Sequence, residues 1–199
     1  MTSALYASLG YEAVMINRIG TTLKTNLEKE GGLEFIWETH PYTGKGERDN
    51  AIFTHVLAET YLTPNGFHPI ASSPCFRRDF PDDCINLLWA KRIHPQFGRQ
   101  QGPEYVVAII MGHDFDYQDR RNWSVLKKLI EKLNKRASQL YNIEVQAKFS
   151  TFERYLDEKM QKTNITYPVY KNDFFPYIQL ESGTYDHWTG FYSNKPVLK

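Results

Sequence analysis

The sequence predicts an α/β protein with a largely parallel β-sheet and flanking helices. Apolar, β-branched runs alternate along the chain with amphipathic, charged segments, and this order is typical of strand–helix–strand units. The composition, with 41% hydrophobic and 15% aromatic residues, indicates a packed core. At 199 residues, the chain has the length of one domain or of part of a larger one.

The bulk properties exclude several classes of protein. The formal net charge of +1 does not indicate the excess of positive charge that is typical of nucleic-acid-binding proteins. No apolar run approaches the roughly 18 residues that a membrane-spanning helix needs. The opening residues, MTSALYASLG, lack the basic region and apolar core of a secretory signal. We therefore expect no nucleic-acid partner, no membrane span and no signal peptide in this chain.

The first part of the chain is predicted to alternate helices and strands. The predicted helices are residues 2–9 and 21–30. The predicted strands are residues 11–18, 33–39 and 51–58. Gly10 and Gly31 follow the two helices, as expected from the left-handed conformation that often ends a helix. In the second strand, Leu33, Phe35 and Trp37 alternate with other residues, which is the period of a strand.

A long loop, residues 59–83, separates these elements from the next ones. Loops of this length inside a compact domain are usually functional or disordered. Residues 85–91 are predicted to be helical. The clearest predicted strand is EYVVAIIMG, residues 104–112, because it is short, β-branched and apolar on both faces, as in a buried parallel sheet.

The clearest predicted helix covers residues 124–140. Its apolar residues form one stripe, with lysines and glutamates opposite. The stripe consists of Leu126, Leu129, Ile130, Leu133 and Ala137. A strand is predicted over 143–150, and the capping box formed by Ser150 and Glu153 predicts a further helix that reaches about residue 161.

The two cysteines, Cys75 and Cys84, flank a loop rich in proline and aspartate. A local disulfide would form in an oxidising compartment, and two free thiols are the alternative. Two glycosylation triplets begin at Asn122 and Asn164, and they would accept glycans only in a secretory compartment.

The segment MGHDFDY, residues 111–117, places carboxylates where the clearest strand ends. Ligands of parallel sheets bind beyond the carboxyl ends of the strands. Asp114 is at such an end, and Arg18 is at the end of the first strand, so both are candidate site residues. Asp116 and Asp119 lie closer to the next helix and suit an N-terminal cap.

The remaining polar and aromatic residues give weaker indications. The six histidines show no spacing typical of a compact metal site. The chain contains no P-loop, nucleophile elbow or dinucleotide fingerprint. Trp188 lies among polar neighbours in an aromatic C-terminal region, where it could form a sugar-stacking platform or fill the core.

Over essentially its whole length the chain resembles family 38 glycoside hydrolases, the class II α-mannosidases, and most of all their lysosomal-type branch. YASLGYEAVMINRI is similar to the family's LxxLGFEALVINRI, and IIMGHDFDYQ is similar to its TMGSDFQYEN. The C-terminal DFFPYIQ and WTGFYSNKPVLK segments resemble DFFPYAD and FWTGYFSSRPALK. LEFIWE and IFTHVL also have counterparts in the family.

The resemblance implies a retaining exo-hydrolase that removes α-linked mannose from glycans with two carboxyl groups and a zinc ion. By position, Asp114 matches the family's acid/base aspartate, and Arg18 matches an arginine near the nucleophile. Trp188 and, less directly, Tyr61 match aromatic residues of the mannose pocket. His113 lies beside Asp114, where some members of the family have a second aspartate or a serine.

Three family segments do not occur in these 199 residues: H-x-D, W-x-x-D-P-F-G and HHDxxxGT, which carry the zinc ligands and the nucleophile. The chain is therefore expected to be an interior part of the N-terminal (β/α) catalytic domain, to have no metal ligands of its own and to be inactive alone. Zinc is expected only in the complete enzyme.

The expected partners are α-mannosyl glycans and the remaining parts of the same enzyme or other protein chains. The expected compartment is the lysosome or another secretory or vacuolar compartment. The alternative is a decayed paralogue that serves as a non-catalytic structural or binding subunit.

Overall fold

The computed structural model describes residues 2–38, 51–64, 66–67, 75, 82–96, 104–114, 116–162, 165–174, 177–181 and 183–188. The described residues form two compact units. The first unit contains those up to Thr60 and from Ile165 onward. The second unit contains those from Tyr61 to Lys162. The described elements have a mixed α/β class, but two of the predicted strands, residues 104–112 and 143–150, are not strands. Each unit is described separately below.

The first unit is built on a four-stranded sheet with the order β1-β3-β2-β4. Its strands are β1 (Ala13–Ile16), β2 (Glu34–Glu38), β3 (Ala51–Val56) and β4 (Val169–Tyr170). Its helices are α1 (Thr2–Ser8) and α2 (Thr21–Lys29). The strands β5 (Ile178–Glu181) and β6 (Thr184–His187) pair separately as an antiparallel hairpin. Gly10 and Gly31 follow the two helices with positive φ values of 85° and 63°, as the sequence predicted.

Two of the three described pairings in this sheet are parallel, in agreement with the largely parallel sheet that the sequence predicted, and one is antiparallel. β1 pairs with β3 and β4 with β2 in parallel, but β2 and β3 pair antiparallel. A dozen residues separate β2 from β3, which is the lower limit for a parallel crossover, whereas antiparallel strands can be joined by shorter connections. Alternating apolar residues do not distinguish the two directions, because both directions bury alternate side chains.

Aromatic packing covers one face of this sheet. Phe35 and Trp37 of β2 are buried, and the Phe174 ring lies 5.9 Å from the Phe35 ring and 4.8 Å from the Trp37 ring. The Trp37 indole N–H also donates to the carbonyl of Asn172 at 2.9 Å. Burial of such rings is a large apolar contribution. These contacts therefore attach the segment after β4 to the centre of the sheet.

The second unit is mainly helical. Its helices are α3 (Asp82–Leu88), α4 (Arg120–Tyr141) and α5 (Phe152–Lys162), and a π-helical turn (Trp89–Ile93) and a 3₁₀ turn (His94–Gln96) follow α3. The predicted stripe of α4 is buried at Leu126, Leu129, Leu133 and Ala137, while Ile130 is only partly buried. This stripe packs into a core that includes Ile85 and Leu88 of α3.

The clearest predicted strand, residues 104–112, belongs to no sheet among the described residues. Its backbone groups bind side chains instead. The Gln96 amide accepts from the N–H of Ala108 at 2.9 Å and donates to the carbonyl of the same residue at 2.6 Å. The Lys159 ammonium donates to the carbonyl of Val106 at 3.1 Å. These contacts satisfy buried backbone groups that would otherwise need a neighbouring strand.

The predicted strand over 143–150 likewise pairs with no strand in the described part of the chain. The Asn134 side chain of α4 binds both the N–H and the carbonyl of Ala147, and the Ser138 hydroxyl accepts from the N–H of Val145 at 3.1 Å. The predicted capping box is displaced by one residue. The Thr151 hydroxyl, rather than that of Ser150, accepts from the N–H of Arg154 at 3.3 Å at the start of α5.

Cys75 and Cys84 form a disulfide, with their Cα atoms 5.7 Å apart. This resolves the alternative that the sequence left open, and the bond attaches the loop before α3 to the first turns of that helix. Among the described residues, every helix is too short or too polar to cross a membrane.

Candidate functional site

Asp114 lies in a turn that follows the segment of residues 104–113. The sequence placed it at the carboxyl end of a parallel strand, but among the described residues this segment pairs with no strand. The segment before Asp114 is partly buried from Val106 to Gly112. The Asp114 side chain is exposed, as a group that must reach a ligand requires.

Tyr117 closes this turn. Its hydroxyl donates to the carbonyl of Met111 at 2.8 Å, and its backbone is left-handed, with φ of 65°. A left-handed conformation is uncommon for a residue other than glycine, and such backbone strain is often found at functional sites. Burial, and then the neighbouring charge of Asp116, raise the pKa of the Tyr117 hydroxyl, so this group stays protonated and able to donate.

Thr63 attaches a second segment to the same turn. Its N–H and its hydroxyl lie 2.6 Å and 3.1 Å from the carbonyl oxygen of Gly112. Tyr61 precedes Thr63 by two residues, and Asp114 follows Gly112 by two residues. The structure therefore brings together the two segments that carry Tyr61 and Asp114, both in the second unit.

The two carboxylates predicted as helix caps differ in role. Asp119 caps α4, because its side chain accepts from the N–H of Arg121 at 2.8 Å. The guanidinium of Arg121 also binds this carboxylate and lowers the pKa of Asp119, with the backbone N–H as a further cause. Asp116 does not cap the helix: its N–H donates to the carbonyl of His113, and its carboxylate lies 3.3 Å from the Thr63 hydroxyl.

Arg18 and Trp188 meet in the first unit. Arg18 is exposed and lies two residues beyond the end of β1, whereas the sequence predicted it as the last residue of that strand. Its guanidinium carbon is 5.4 Å from the centroid of the Trp188 ring. Trp188 follows β6 and is 36% exposed, so the interpretation as a buried core residue is wrong. The backbone N–H of Trp188 donates to the carbonyl of Tyr177 at 3.1 Å, which fixes the backbone at this residue.

Lys24 is a part of this region that sequence reasoning missed. Its ammonium donates to the backbone and side-chain oxygens of Asn17, at 3.3 Å and 3.2 Å, and to the carbonyl of Glu59 at 2.5 Å. Asn17 follows β1 and Glu59 follows β3, so one lysine links the carboxyl ends of two parallel strands. A single lysine in a charged helix carries no pattern that indicates this role.

The described residues do not fit a metal site. Within the part of the chain that the structure describes, no group of three or more His, Cys, Asp or Glu side chains could hold a metal ion. What these residues offer is an exposed carboxyl that can transfer protons, in the second unit, and a cation beside an exposed aromatic ring, in the first. The latter pair can bind a polar molecule that has C–H faces, such as a sugar.

Comparison with known proteins supplies the family. The profile described as "Glycosyl hydrolases family 38 N-terminal domain" matches residues 1–179. The lysosomal alpha-mannosidase of Cavia porcellus is 30% identical over 203 residues, which cover 99% of this chain and 19% of that protein. The corresponding protein of Bos taurus is also 30% identical, over 99% of this chain and 20% of its own length.

A less similar relative matches nearly the same share of this chain. Alpha-mannosidase 2 of Drosophila melanogaster is 25% identical over 96% of this chain and 19% of its own length. The chain thus spans about a fifth of the length of the curated relatives that it matches. Since the family profile matches nearly all of the sequence, the chain belongs to glycosyl hydrolase family 38 and corresponds to its N-terminal domain.

Proposed function

We propose that the chain is part of the (β/α) catalytic domain of a retaining α-mannosidase that removes α-linked mannose from glycans. Residues 1–199 would form an interior part of that domain. The observation that carries the proposal is the position of Asp114: an exposed carboxyl in a turn held from both sides, within a chain of family 38. The names of the similar proteins support mannose as the sugar.

Asp114 is the proposed acid/base group. In a retaining mechanism one carboxyl protonates the leaving oxygen and then removes a proton from the attacking water. Arg18 and Trp188 would bind the mannose, the guanidinium by hydrogen bonds to hydroxyls and the indole by contact with C–H groups. Tyr61 would contribute a further contact. The second carboxyl, which attacks the anomeric carbon, is assigned to no residue of this chain.

Zinc belongs to the proposal only for the complete enzyme, where it would supply Lewis-acid chemistry. The described residues provide no cluster for it, and the roles given above to Asp114, Arg18, Trp188 and Tyr61 do not depend on it. The proposed compartment is the lysosome or another secretory or vacuolar compartment. The disulfide between Cys75 and Cys84 supports this proposal, because such bonds persist in oxidising compartments.

The test compares Asp114→Asn with Asp119→Asn in the natural full-length protein that contains this chain. Asp114→Asn should lower turnover of an α-mannoside by about 10²–10⁴-fold, because it removes general acid catalysis. Asp119→Asn should leave turnover unchanged, since asparagine also caps helices. Equal turnover in both variants would refute the role of Asp114.

Two further outcomes concern the function as a whole. We expect residues 1–199 alone to be inactive, because a retaining mechanism with one carboxyl forms no covalent intermediate. A natural full-length protein that binds mannosides without hydrolysing them would instead favour a non-catalytic binding subunit, the alternative that the sequence also allowed.

A further inference from the structure

The arrangement around Asp114 assigns a role to a residue that the sequence did not indicate. Thr63 is buried, with 3% of its surface exposed, and lies in the loop that follows β3. Its hydroxyl is 3.1 Å from the carbonyl oxygen of Gly112 and 3.3 Å from the carboxylate of Asp116. Gly112 and Asp116 flank Asp114 at equal distances along the chain, so one hydroxyl contacts both sides of the turn.

The Thr63 backbone adds a third contact. Its N–H donates to the carbonyl of Gly112 at 2.6 Å. Because this carbonyl already accepts the N–H, the single hydroxyl proton is available to either Gly112 or Asp116. The carboxylate is the stronger acceptor, since hydrogen bonds to charged groups are about twice as strong as neutral ones. Thr63 can therefore link the two ends of the turn, with its N–H bound to Gly112 and its hydroxyl donating to Asp116.

Tyr117 holds the same turn by a further contact, and its hydroxyl also hydrogen-bonds with the Thr63 side chain. Its hydroxyl donates to the carbonyl of Met111, and its backbone has φ of 65°. A left-handed tyrosine costs free energy and persists only where neighbouring contacts impose it. Thr63 supplies contacts from a separate segment, so the positions of Gly112 and Asp116 depend on it.

We propose that Thr63 is a positioning residue for Asp114: its hydroxyl holds the turn so that the exposed carboxyl faces the leaving oxygen of the glycoside. This inference rests on the proposed function. A general acid must lie within hydrogen-bond reach of the atom that it protonates. A displacement of about 1 Å can lower the rate of an enzyme by about 10²-fold, so the loss of a distant hydroxyl has a measurable effect.

The variant Thr63→Val tests this role, because it removes the hydroxyl and keeps the shape and the N–H. Thr63→Ser restores the hydroxyl. Thr54→Val is the matched control, since Thr54 is also buried and its hydroxyl donates to the carbonyl of Ile52 in its own strand, at 3.4 Å. All three variants are made in the natural full-length protein that contains this chain.

The measurement is kcat/KM for two substrates that differ in their need for an acid. Methyl α-mannoside has a poor leaving group, whose oxygen must be protonated by an acid. The leaving group of 2,4-dinitrophenyl α-mannoside, 2,4-dinitrophenolate, departs without protonation. Thr63→Val should lower kcat/KM for the methyl glycoside by about tenfold or more and for the dinitrophenyl glycoside by about twofold or less. Thr63→Ser should recover most of the loss, and Thr54→Val should affect both substrates equally.

An equal loss on both substrates in Thr63→Val, or no recovery in Thr63→Ser, would overturn the inference, because a merely structural residue would affect both reactions alike. Hydrogen exchange of the peptide that covers residues 111–117 gives a readout without activity, and it should become faster in Thr63→Val but not in Thr54→Val. If the wild-type protein hydrolyses neither substrate, the proposed function fails. In that case, unchanged hydrogen exchange in Thr63→Val would independently refute the claim that Thr63 stabilises the turn.

Discussion

The guanidinium carbon of Arg18 lies 5.4 Å from the ring centroid of Trp188, so two residues from opposite ends of the sequence form a cation–π contact. Arg18 follows β1 and Trp188 follows the β5–β6 hairpin. The contact is supported by the N–H of Trp188, which donates to the carbonyl of Tyr177. Each of the two side chains therefore helps to orient the other.

This contact predicts that the two residues are coupled in mannoside binding. Arg18→Met and Trp188→Leu should each weaken binding of an unreactive α-mannoside analogue by the natural full-length protein, as measured by calorimetry. The double variant should lose less than the sum, by about 0.5–1 kcal/mol, because either single change already removes the cation–π contact. Arg18→Lys should restore only part of the loss, since lysine lacks the planar guanidinium.

Arg120→Met is the matched control, because Arg120 is exposed in the first turn of α4, in the other unit. It should leave the affinity unchanged and be additive with Trp188→Leu. Full additivity of Arg18→Met and Trp188→Leu would contradict the coupling.

A second prediction concerns the close approach of Gly66 to the disulfide. A Cβ atom at Gly66 would lie 2.9 Å from the sulfur of Cys75, and Gly66 has φ of 86°. Gly66→Ala should therefore hinder formation of the bond between Cys75 and Cys84. The measurement is the fraction of protein with free thiols after alkylation and mass spectrometry, which should rise in the variant.

Gly183→Ala separates the two causes of that effect. Gly183 has nearly the same φ, 84°, but its Cβ would meet no atom within 4 Å. Gly183→Ala should therefore lower the stability, because alanine disfavours the left-handed backbone, but it should not raise the fraction of protein with free thiols. If both variants form the disulfide equally well, the contact with Cys75 does not matter.

The disulfide itself should stabilise the folded protein. Chain-entropy arguments give a disulfide that closes so short a loop about 2–3 kcal/mol of stabilisation, so reduction of the wild-type protein should lower its Tm.

The elements that the sequence predicted well are those in which a local pattern decides the structure. The stripe of α4 is buried at Leu126, Leu129 and Leu133, because helical periodicity specifies one face whatever covers it. The position of Arg18 also follows from the end of a β-branched run. Apolar runs were less informative over 104–112 and 143–150, because they indicate an extended and buried segment but do not identify its hydrogen-bond partners.

In the candidate site, too, the sequence indicated the residues that follow a local pattern and missed those that do not. Asp114 was identified from its place after an apolar run and from the family resemblance, whereas Thr63 and Lys24 were not identified. Their roles depend on backbone oxygens that are distant in sequence, at Gly112 for Thr63 and at Glu59 for Lys24. A threonine or lysine at those positions forms no motif, so only the three-dimensional structure indicates them.

A third prediction follows from the lowered pKa of Asp119, which the Arg121 side chain and backbone N–H cause. Because the pKa is lower in the folded state than the ordinary value of 3.8, the carboxylate stabilises the protein above that value. This contribution is lost as the pH falls through the lowered folded pKa. Asp119→Asn keeps the cap but not the charge, so it should be less stable than wild type at neutral pH and equally stable in strong acid.

Urea unfolding at several pH values measures this difference. It should be small and should shrink with salt, since Asp119 and Arg121 are exposed. Asp157→Asn, an exposed carboxylate within α5, should show no such pH-dependent difference. A constant difference between Asp119→Asn and wild type across all pH values would rule out the ion pair as its cause.

The final prediction tests whether a side chain replaces the missing strand partner of residues 104–112. The Gln96 amide is 5% exposed and binds both the N–H and the carbonyl of Ala108, and it also donates to the carbonyl of Arg92. Gln96→Leu has a similar volume but leaves these backbone groups without that partner. It should lower the free energy of unfolding by about 1–3 kcal/mol, the cost of unsatisfied buried groups.

Gln96→Glu distinguishes the hydrogen bonds from the packing. The introduced carboxylate can still accept from the N–H of Ala108, but it cannot donate to either carbonyl, and its charge is unfavourable in a buried position. This variant should therefore be destabilised most at neutral pH and less in acid, where the protonated carboxyl can donate again. Gln118→Glu, at an exposed position before α4, should change little at any pH. Equal stability of Gln96→Leu and wild type would show that the extended segment depends on its apolar contacts and not on the Gln96 amide.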